Sequence, residues 1–274
     1  FVVKFSVSIC VYHKDDSEYF SDALRSITQQ TILPTEIVLV VDGPVGGDIL
    51  KVITENVRSF ENFRVIQLEK NVGHGRARQI GVENCSYDLV ALMDSDDLCV
   101  IDRFQNQIQA FEDDSSLSVV GGWIDEFSGD ISSSLGKRKL PSENPEIKKY
   151  LKYRCPMNQV TVMFKKADVI KAGGYLDWHH EEDYYLWLRM YLLNCKFKNI
   201  QKVLVHVRAD DDYFSRRGGM EYFLSEARLQ KYMYVNGIIN AGQFSMNIIL
   251  RFLIQVVMSN AARRFIFILL RKNI

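Results

Sequence analysis

The chain has 274 residues and 47% of them are apolar, which fits one large globular domain, with or without an appendage, and excludes a disordered chain. Lysine plus arginine number 34, and aspartate plus glutamate also number 34, so the bulk charge gives no indication of a nucleic-acid partner. The five cysteines are scattered and form no CxxC pair, which favours reduced cysteines in a cytosolic protein over a disulfide framework or a zinc site.

Short apolar segments alternate with amphipathic segments through the first half of the chain. The apolar segments predict strands at residues 4–12, 36–42, 63–69 and 88–94. The segments between and after them predict helices at residues 21–30, 48–58, 75–83 and 102–111. This alternation is typical of an α/β fold with a mostly parallel sheet flanked by helices. Ligands of such sheets bind beyond the carboxyl ends of the strands, so Asp42, Asp94 and Asp96 are expected to converge on one rim.

The regularity weakens in the second half. Residues 128–145 are rich in serine, glycine, proline and charge, and predict a surface loop. Residues 158–177 predict a strand, a short helix and a glycine turn. Residues 181–195 predict an amphipathic helix with acids in its first turn, where the helix dipole favours them.

The ends of the chain differ from its middle. The first residues predict a strand rather than a signal peptide, and the missing initiator methionine indicates that residues precede them. From residue 243 on there are five basic residues and no acid, and polar residues recur every four positions from Asn247 to Arg263. On a helix this spacing makes a narrow polar stripe beside a wide apolar face. Two interpretations stay open: a helix packed on the core, or a helix held in an anionic membrane surface by apolar burial and basic attraction.

Asp94 and Asp96 stand on the turn after a predicted strand. Two carboxylates one residue apart can share a divalent cation with phosphate oxygens, although a solvated acidic turn has the same pattern. A D-x-D phosphohydrolase is another interpretation, but Leu98 stands where that motif has threonine or valine. Gly73 and Gly75 suit a dinucleotide fold, but Arg78 takes the place of the third glycine of that motif.

Charged residues also mark two predicted helix starts and one loop. Arg76 and Arg78 open a helix beside a glycine turn. A helix N-terminus with two guanidinium groups favours phosphate binding. The alternative is that both arginines are solvated at the surface, and for either arginine alone this is the simpler explanation. A carboxylate at the start of the helix at 181–195 could take a proton from an attacking hydroxyl, or it could only cap the helix. Arg216 and Arg217 precede two glycines in a loop able to meet an anion.

The combination resembles the inverting family-2 glycosyltransferases of the GT-A fold. The resemblance extends from Ser6 to about Gly219 and rests on five segments in family order: "SVSICVYHKD", "EIVLVVDGP", "NVGHGRARQIGVENCSYDLVALMDSDD", "FKKADVIKAGGY" and "EEDYYLWLRM". It implies a GT-A domain at residues 1–215, with a nucleotide-sugar-binding half at 1–115 and an acceptor-binding half at 116–215. Residues 216–274 would form a basic, amphipathic helical extension.

The resemblance implies a UDP-sugar donor bound by residues of the first half. Val11 and Tyr12 would line the uracil, and Asp42 would hold the base or the ribose. Arg78, and less surely Arg76, would lie near the diphosphate.

The same resemblance implies a metal ion and a base. Asp94, Ser95 and Asp96 would form the family's D-x-D segment, with Mg²⁺ or Mn²⁺ on Asp96 and Asp94. Asp183 would be the base that activates the acceptor, with Glu182 as the alternative.

This sequence departs from the family pattern at two places. "VVDGP" offers one carboxylate where a double acid is commoner, and Asp210 stands where many members carry a metal-binding histidine; His206 is near but offset. The motifs most resemble bacterial enzymes that build O-antigen, capsule or exopolysaccharide by adding a hexose to a polyprenyl-diphosphate-linked sugar. Such an enzyme would work in the cytoplasm, with residues 243–274 on the inner face of the cell membrane. A catalytically inactive nucleotide-sugar-binding protein is the alternative.

Overall fold

The computed structural model describes residues 3–178, 180–209, 218–259 and 262–263. Its strands are β1 Phe5–Val11, β2 Glu36–Val41, β3 Phe63–Gln67, β4 Leu89–Met93, β5 Leu98–Cys99, β6 Val119–Phe127, β7 Ser134–Arg138, β8 Met163–Lys165 and β9 Phe197–Arg208. Its α-helices are α1 Ser17–Thr28, α2 Gly47–Ser59, α3 His74–Asn84, α4 Arg103–Asp113, α5 Asn144–Tyr150, α6 Lys166–Lys171, α7 Glu182–Leu192, α8 Met220–Val235 and α9 Ala241–Phe252.

The strands form one nine-stranded mixed sheet in the order β3-β2-β1-β4-β8-β6-β9-β5, with β7 added beside β6. Strands β3, β2, β1 and β4 are parallel to their neighbours among these four, whereas β8 is antiparallel to both β4 and β6. Strand β2 lies on one side of β1 and β4 on the other, so the strand order reverses at β1. A crevice therefore opens beyond the carboxyl ends of β1 and β4, where α/β sheets bind ligands.

Two buried apolar clusters cover the two faces of the sheet. One contains Phe20 of α1 and Phe104 of α4. The other contains Val82 of α3, Trp187 of α7 and Leu229 of α8. Helices on both faces confirm the predicted α/β class and explain why β1, β2 and β4 are nearly continuous apolar runs.

The predicted elements need two corrections. Helix α1 begins at Ser17 rather than at residue 21, because the Asp16 carboxylate accepts hydrogen bonds from the amides of Glu18 and Tyr19 and caps the helix earlier. The prediction of a surface loop over residues 128–145 is wrong in part, because Ser134–Arg138 pairs antiparallel with β6. That strand carries small and charged side chains, as an edge strand does, so its period was hidden in the sequence.

The polar stripe of the C-terminal segment is real, but it faces the domain. Asn247 and Gln255 are buried, and Arg251 lies 3.0 Å from Glu226. Arg251 is therefore engaged within the domain, which favours, for this residue, the first of the two interpretations, a helix packed on the core. In the part of the chain that the structure describes, no helix combines the length and the apolar character needed to cross a membrane.

Candidate active site

A cavity of about 570 Å³ opens in the crevice beyond β1, β2 and β4. Its wall comes from the segments after these strands, from the start of α3, and from later parts of the chain: Cys10, Val11, Tyr12, Asp15, Asp42, Asn71, Gly73, His74, Ala77, Asp94, Ser95, Asp96, Asp97, His180, Val207, Arg208 and Tyr222. The predicted convergence of polar residues on one rim is thus observed.

The structure separates the predicted site residues into those on this wall and those off it. Six lie on the wall: Val11, Tyr12, Asp42, Asp94, Ser95 and Asp96. Arg76 is exposed and lies off this wall, and Arg78 is buried behind it. Arg216 and Arg217 lie outside the described residues.

Asp15 connects the end of β1 to the D-S-D segment. Its Oδ2 accepts a hydrogen bond from the Tyr12 amide at 3.0 Å and another from the Ser95 hydroxyl at 2.8 Å. Burial raises the pKa of Asp15 above its usual value. The sequence analysis missed this residue, although an aspartate shortly after a strand end is a common turn signal.

Asp42 holds the loop that leads into α3. Its two carboxylate oxygens accept hydrogen bonds from the Val72 amide at 2.7 Å and the Gly73 amide at 3.2 Å. The next residue, Gly43, has a φ of 89°, and a Cβ there would stand 2.7 Å from the Asn71 amide nitrogen. The loop is therefore packed against the end of β2 so closely that only glycine fits.

Arg78 lies between two carboxylates from distant parts of the chain. Its Nη2 is 2.5 Å from Asp94 Oδ1, and its Nη1 is 3.5 Å from Glu182 Oε1. Burial is the largest single effect and would raise the pKa of Asp94, but the charge and hydrogen bond of Arg78 together with His74 outweigh burial and hold that pKa below its usual value. Arg78 therefore joins the start of α3 to the end of β4 and to α7.

His74, the first residue of α3, was also missed from sequence. Its Nε2 lies 3.9 Å from Asp94 Oδ1 and its Nδ1 lies 3.6 Å from Glu182 Oε1. The positive charge of Arg78, followed by burial, lowers the pKa of His74. A neutral imidazole at this place can donate one hydrogen bond and accept another.

The last two acids of the "DSDD" segment, Asp96 and Asp97, have different surroundings. Asp96 is exposed at the cavity, whereas Asp97 is buried and its Oδ1 accepts the Arg208 amide at 3.0 Å. Burial, then the charges of Asp96 and Asp94, raise the pKa of Asp97 well above its usual value. Asp97 thus supports the end of β9.

The carboxylates of this segment fit a divalent cation whose coordination is completed by phosphate and water. Among the described residues no group of three or more histidine, cysteine, aspartate or glutamate side chains is arranged around a metal position. His206 lies off the cavity wall, with its Nδ1 3.9 Å from Asp125 Oδ2, and Asp210 lies outside the described residues. Magnesium commonly takes only one or two protein carboxylates beside phosphate oxygens, and Asp96 with Asp94 can supply these.

The start of α7 carries three acids in three settings. Glu182 pairs with Arg78 and lines a second cavity of about 330 Å³, together with His74, Gly75, Asp177, Trp178 and His180. Asp183 lies off both of these walls, and its Oδ2 is 3.7 Å from the Cys155 thiol. Burial raises the pKa of Asp183. Glu181 is buried, and its Oε1 accepts the Tyr222 hydroxyl at 3.0 Å.

The two cavities share His74 and His180, so they adjoin at the start of α3. One contains the two carboxylates of the D-x-D segment, and the other contains an indole ring and two carboxylates. This arrangement can hold a phosphorylated ligand and a second, polar ligand next to each other.

Comparison with known proteins supports this interpretation. The family described as "Glycosyl transferase family 2" matches residues 6–173. An Escherichia coli UDP-Gal:alpha-D-GlcNAc-diphosphoundecaprenol beta-1,3-galactosyltransferase is 35% identical over 254 residues, which cover 93% of this chain and 92% of that protein. The amylovoran biosynthesis glycosyltransferase AmsE of Erwinia amylovora is 37% identical over 227 residues, covering 83% of this chain and 84% of that one.

A solved structure shows the same fold. The crystal structure of S. aureus TarS 1–349 in complex with UDP-GlcNAc matches with a TM-score of 0.65 and 17% identity, covering 92% of this chain and 73% of that one. At this identity the likeness shows the fold alone, and it confirms the expected GT-A architecture. The extent of the family match and the identity to full-length relatives establish that the chain is a glycosyltransferase and belongs to glycosyl transferase family 2.

Proposed function

We propose that this protein is an inverting hexosyltransferase that moves a hexose from a UDP-sugar to a sugar hydroxyl of a polyprenyl-diphosphate-linked acceptor in surface-polysaccharide assembly. The observation that carries the proposal is the cavity beyond β1, β2 and β4, where Asp94 and Asp96 share one wall with Tyr12 and Asp42. A nucleoside-diphosphate sugar has an aromatic base at one end and a diphosphate at the other, and this wall offers matching chemistry for both.

The donor proposal rests on chemistry and on relatives. Tyr12 and Val11 offer apolar surface to a nucleobase, and Asp42 and Asp15 offer carboxylates to ribose or base. The E. coli relative is named for UDP-Gal, and the TarS structure holds UDP-GlcNAc. UDP-galactose is therefore the first donor to test, with UDP-glucose and the N-acetyl forms beside it.

The acceptor proposal rests on the second cavity. Trp178 offers a ring on which the apolar face of a sugar can stack, and Asp177 and Glu182 offer hydrogen-bond acceptors to its hydroxyls. The adjoining cavities would bring an acceptor hydroxyl next to the donor's anomeric carbon, and such positioning accelerates a reaction strongly. The name of the E. coli relative supports a sugar on an undecaprenol diphosphate as this acceptor.

Single displacement needs a base for the attacking hydroxyl, and Asp183 is our choice. Glu182 Oε1 is already engaged by Arg78 at 3.5 Å and by His74 at 3.6 Å. Burial raises the pKa of Asp183, which makes its carboxylate a better proton acceptor. Displacement from the face opposite UDP would invert the anomeric configuration from α to β.

The leaving UDP gathers negative charge at the Asp94 end of the cavity. Members of this family typically use a divalent metal. Mg²⁺ or Mn²⁺ held by Asp96, with Asp94 beside it, would neutralise that charge as a Lewis acid. His74 and Arg78 add a hydrogen-bond donor and a fixed positive charge within 4 Å of Asp94, at 3.9 Å and 2.5 Å. We place the enzyme in the cytoplasm, peripheral to the inner face of the cell membrane where a lipid-linked acceptor resides.

The test is a panel of UDP-sugars and GDP-mannose with Mn²⁺ and a synthetic GlcNAc-diphosphate-lipid, with products identified by mass and anomeric coupling. Transfer of a hexose from a UDP-sugar with a β-linkage is expected. UDP binding without transfer from any donor would favour the inactive sugar-nucleotide-binding protein. Phosphatase activity that Asp94→Asn abolishes, without affinity for UDP, would favour the phosphohydrolase.

A further inference from the structure

The last described helix, α9, presents its apolar side to the solvent. We call this side the docking face and define it as Met246, Ile249, Leu250, Leu253 and Val257, the last two in the π-helical turn Leu253–Val257 that continues α9. All five side chains are exposed, Ile249 by 59% and Val257 by 63%. Their spacing of three, four, seven and eleven residues from Met246 places them along one stripe of the helix.

The opposite side of α9 is held against the domain by polar contacts. Asn247 Nδ2 donates to the Lys152 carbonyl at 2.9 Å and to Gln230 Oε1 at 2.8 Å. Arg251 Nη2 donates to the Tyr153 carbonyl at 2.7 Å, and its Nε lies 3.0 Å from Glu226 Oε2. Rotating the helix to bury the docking face would leave these groups without their partners, and each buried polar group left unpaired destabilises the fold.

This orientation reverses the usual one for a surface helix, which turns its polar side outward. Five large apolar side chains on one exposed stripe form a patch that soluble surfaces rarely carry without a partner. The partner must be apolar where it meets the docking face, since the outward side of α9 carries no charge within Ala241–Phe252 once Arg251 is turned inward.

Charge around the docking face indicates what this partner is. Helix α8, which packs beside α9, exposes two basic residues, Arg228 and Lys231, and one acid, Glu221, along with Met220 and Leu224. No acid occurs in the sequence from residue 243 to the end. Exposed apolar side chains on a helix pair whose exposed charge is mostly basic match a bilayer with anionic headgroups, where burial and charge attraction act together.

We propose that the docking face enters the interfacial layer of an anionic phospholipid bilayer, with α9 parallel to the membrane and its polar side on the domain. The proposal rests on the proposed function for its setting, because a lipid-linked acceptor lies in such a bilayer. It keeps the apolar burial of the sequence expectation and differs in the role of Arg251, which holds the helix to the protein.

Docking in this way would also connect the membrane to the active site. Tyr222, in the first turn of α8, lines the larger cavity and donates to Glu181 just before α7. Glu226, one turn further along α8, pairs with Arg251 of α9. The helix pair that meets the bilayer therefore contributes part of the wall of the proposed donor cavity.

The test is flotation of the full chain with phosphatidylcholine vesicles that contain phosphatidylglycerol. Leu250→Gln combined with Leu253→Gln should lower the bound fraction at least about ten-fold, because two leucines no longer leave water. Leu33→Gln combined with Ile101→Gln, at exposed apolar positions away from α9, is the matched control and should float as wild type does.

Two further measurements separate the possible outcomes. Unchanged affinity for UDP and an unchanged circular dichroism spectrum would show that the α9 variant folds, and glutamine keeps helix propensity. Transfer to a short, water-soluble acceptor should stay within about two-fold of wild type, so a failure of flotation and a failure of the proposed function are distinguishable. Equal flotation of the α9 variant and wild type would overturn the proposal. So would a wild-type dimer that does not float and that the variant converts to monomers, because a second copy would then cover the docking face.

Discussion

The Nη2 atom of Arg78 lies 2.5 Å from Oδ1 of Asp94, and this partly buried ion pair fixes the first turn of α3 to the carboxyl end of β4. Its second nitrogen reaches Glu182 at the start of α7. One guanidinium thus spans the proposed donor side and acceptor side of the site, and it keeps Asp94 ionised at neutral pH.

Arg78→Met should damage both stability and donor binding. Removing one partner of a fully buried ion pair typically costs about 3–5 kcal/mol of unfolding free energy, and the loss here should be smaller because the Asp94 side chain is 29% exposed; urea titration at pH 7 would measure it. Because the folded pKa of Asp94 is lowered, its contribution to stability is present above the unfolded value of about 3.9 and is lost as pH falls through the folded pKa. The stability difference from wild type should therefore shrink toward pH 3. Arg58→Met, at an exposed arginine, is the control, and equal loss in both variants would contradict the assigned pair.

Substitutions at Asp183 and at Glu182 should show which of the two residues is the catalytic base. Asp183→Asn should lower kcat by about 10²–10⁴ while the affinity for UDP stays within about two-fold, because only proton transfer is removed. Glu182→Gln should instead release Arg78 and change donor affinity together with the rate. Single-turnover kinetics and calorimetric UDP titration of both variants decide the point, and full activity of Asp183→Asn would transfer the role to Glu182.

The pH dependence of kcat should carry the signature of a buried carboxylate. Burial raises the pKa of Asp183, so activity should rise with pH through a midpoint above the usual aspartate value of about 3.9 and then level off. The Cys155 thiol, 3.7 Å from Oδ2, favours the ionised form. Cys155→Ala should move the midpoint to higher pH, while Cys155→Ser, which keeps a donor, should move it less. Cys195→Ala changes a buried thiol at the other end of α7 and should leave the midpoint in place. The same shift in all three variants would contradict an effect of the Cys155 thiol on the pKa of Asp183.

Metal dependence should act through Asp96. Removing divalent ions with a chelator should abolish transfer, and Mn²⁺ should restore it. Asp96→Ala should lower kcat/KM by about 10²-fold or more, and excess Mn²⁺ should recover only part of it. Asp113→Ala removes an exposed carboxylate at the end of α4 and provides the matched control. Transfer activity that persists after chelation would exclude a role for a metal ion bound by Asp96.

Some parts of the fold could be predicted because they depend on local periodicity. Strands β1 to β4 lie within two residues of their predicted ends, and for β1, β2 and β4 this is because apolar runs buried on both faces stand out in a sequence. Asp42, Asp94 and Asp96 could be brought together in advance because parallel strands end at one edge. Strand β5 has two residues and β7 has charged side chains, so neither carries a readable period.

Other parts depend on contacts between distant segments, which a single sequence does not reveal. Arg208 is the last residue of β9 and Tyr222 lies in the first turn of α8, and both reach the cavity only because the sheet places β9 beside β6 and the helices pack on α7. Arg78 looked like a phosphate ligand but is held by two carboxylates. The four-residue step of the C-terminal segment predicted a polar stripe correctly, but periodicity cannot say which side of a helix faces the domain.

The most direct measurement is anomalous diffraction at the manganese edge from crystals soaked with UDP and Mn²⁺. We expect UDP in the cavity beyond β1, β2 and β4, with its base near Tyr12, and a manganese peak about 2 Å from an Asp96 carboxylate oxygen and from the diphosphate. UDP bound elsewhere on the protein, or manganese bound away from residues 94–96, would contradict the site.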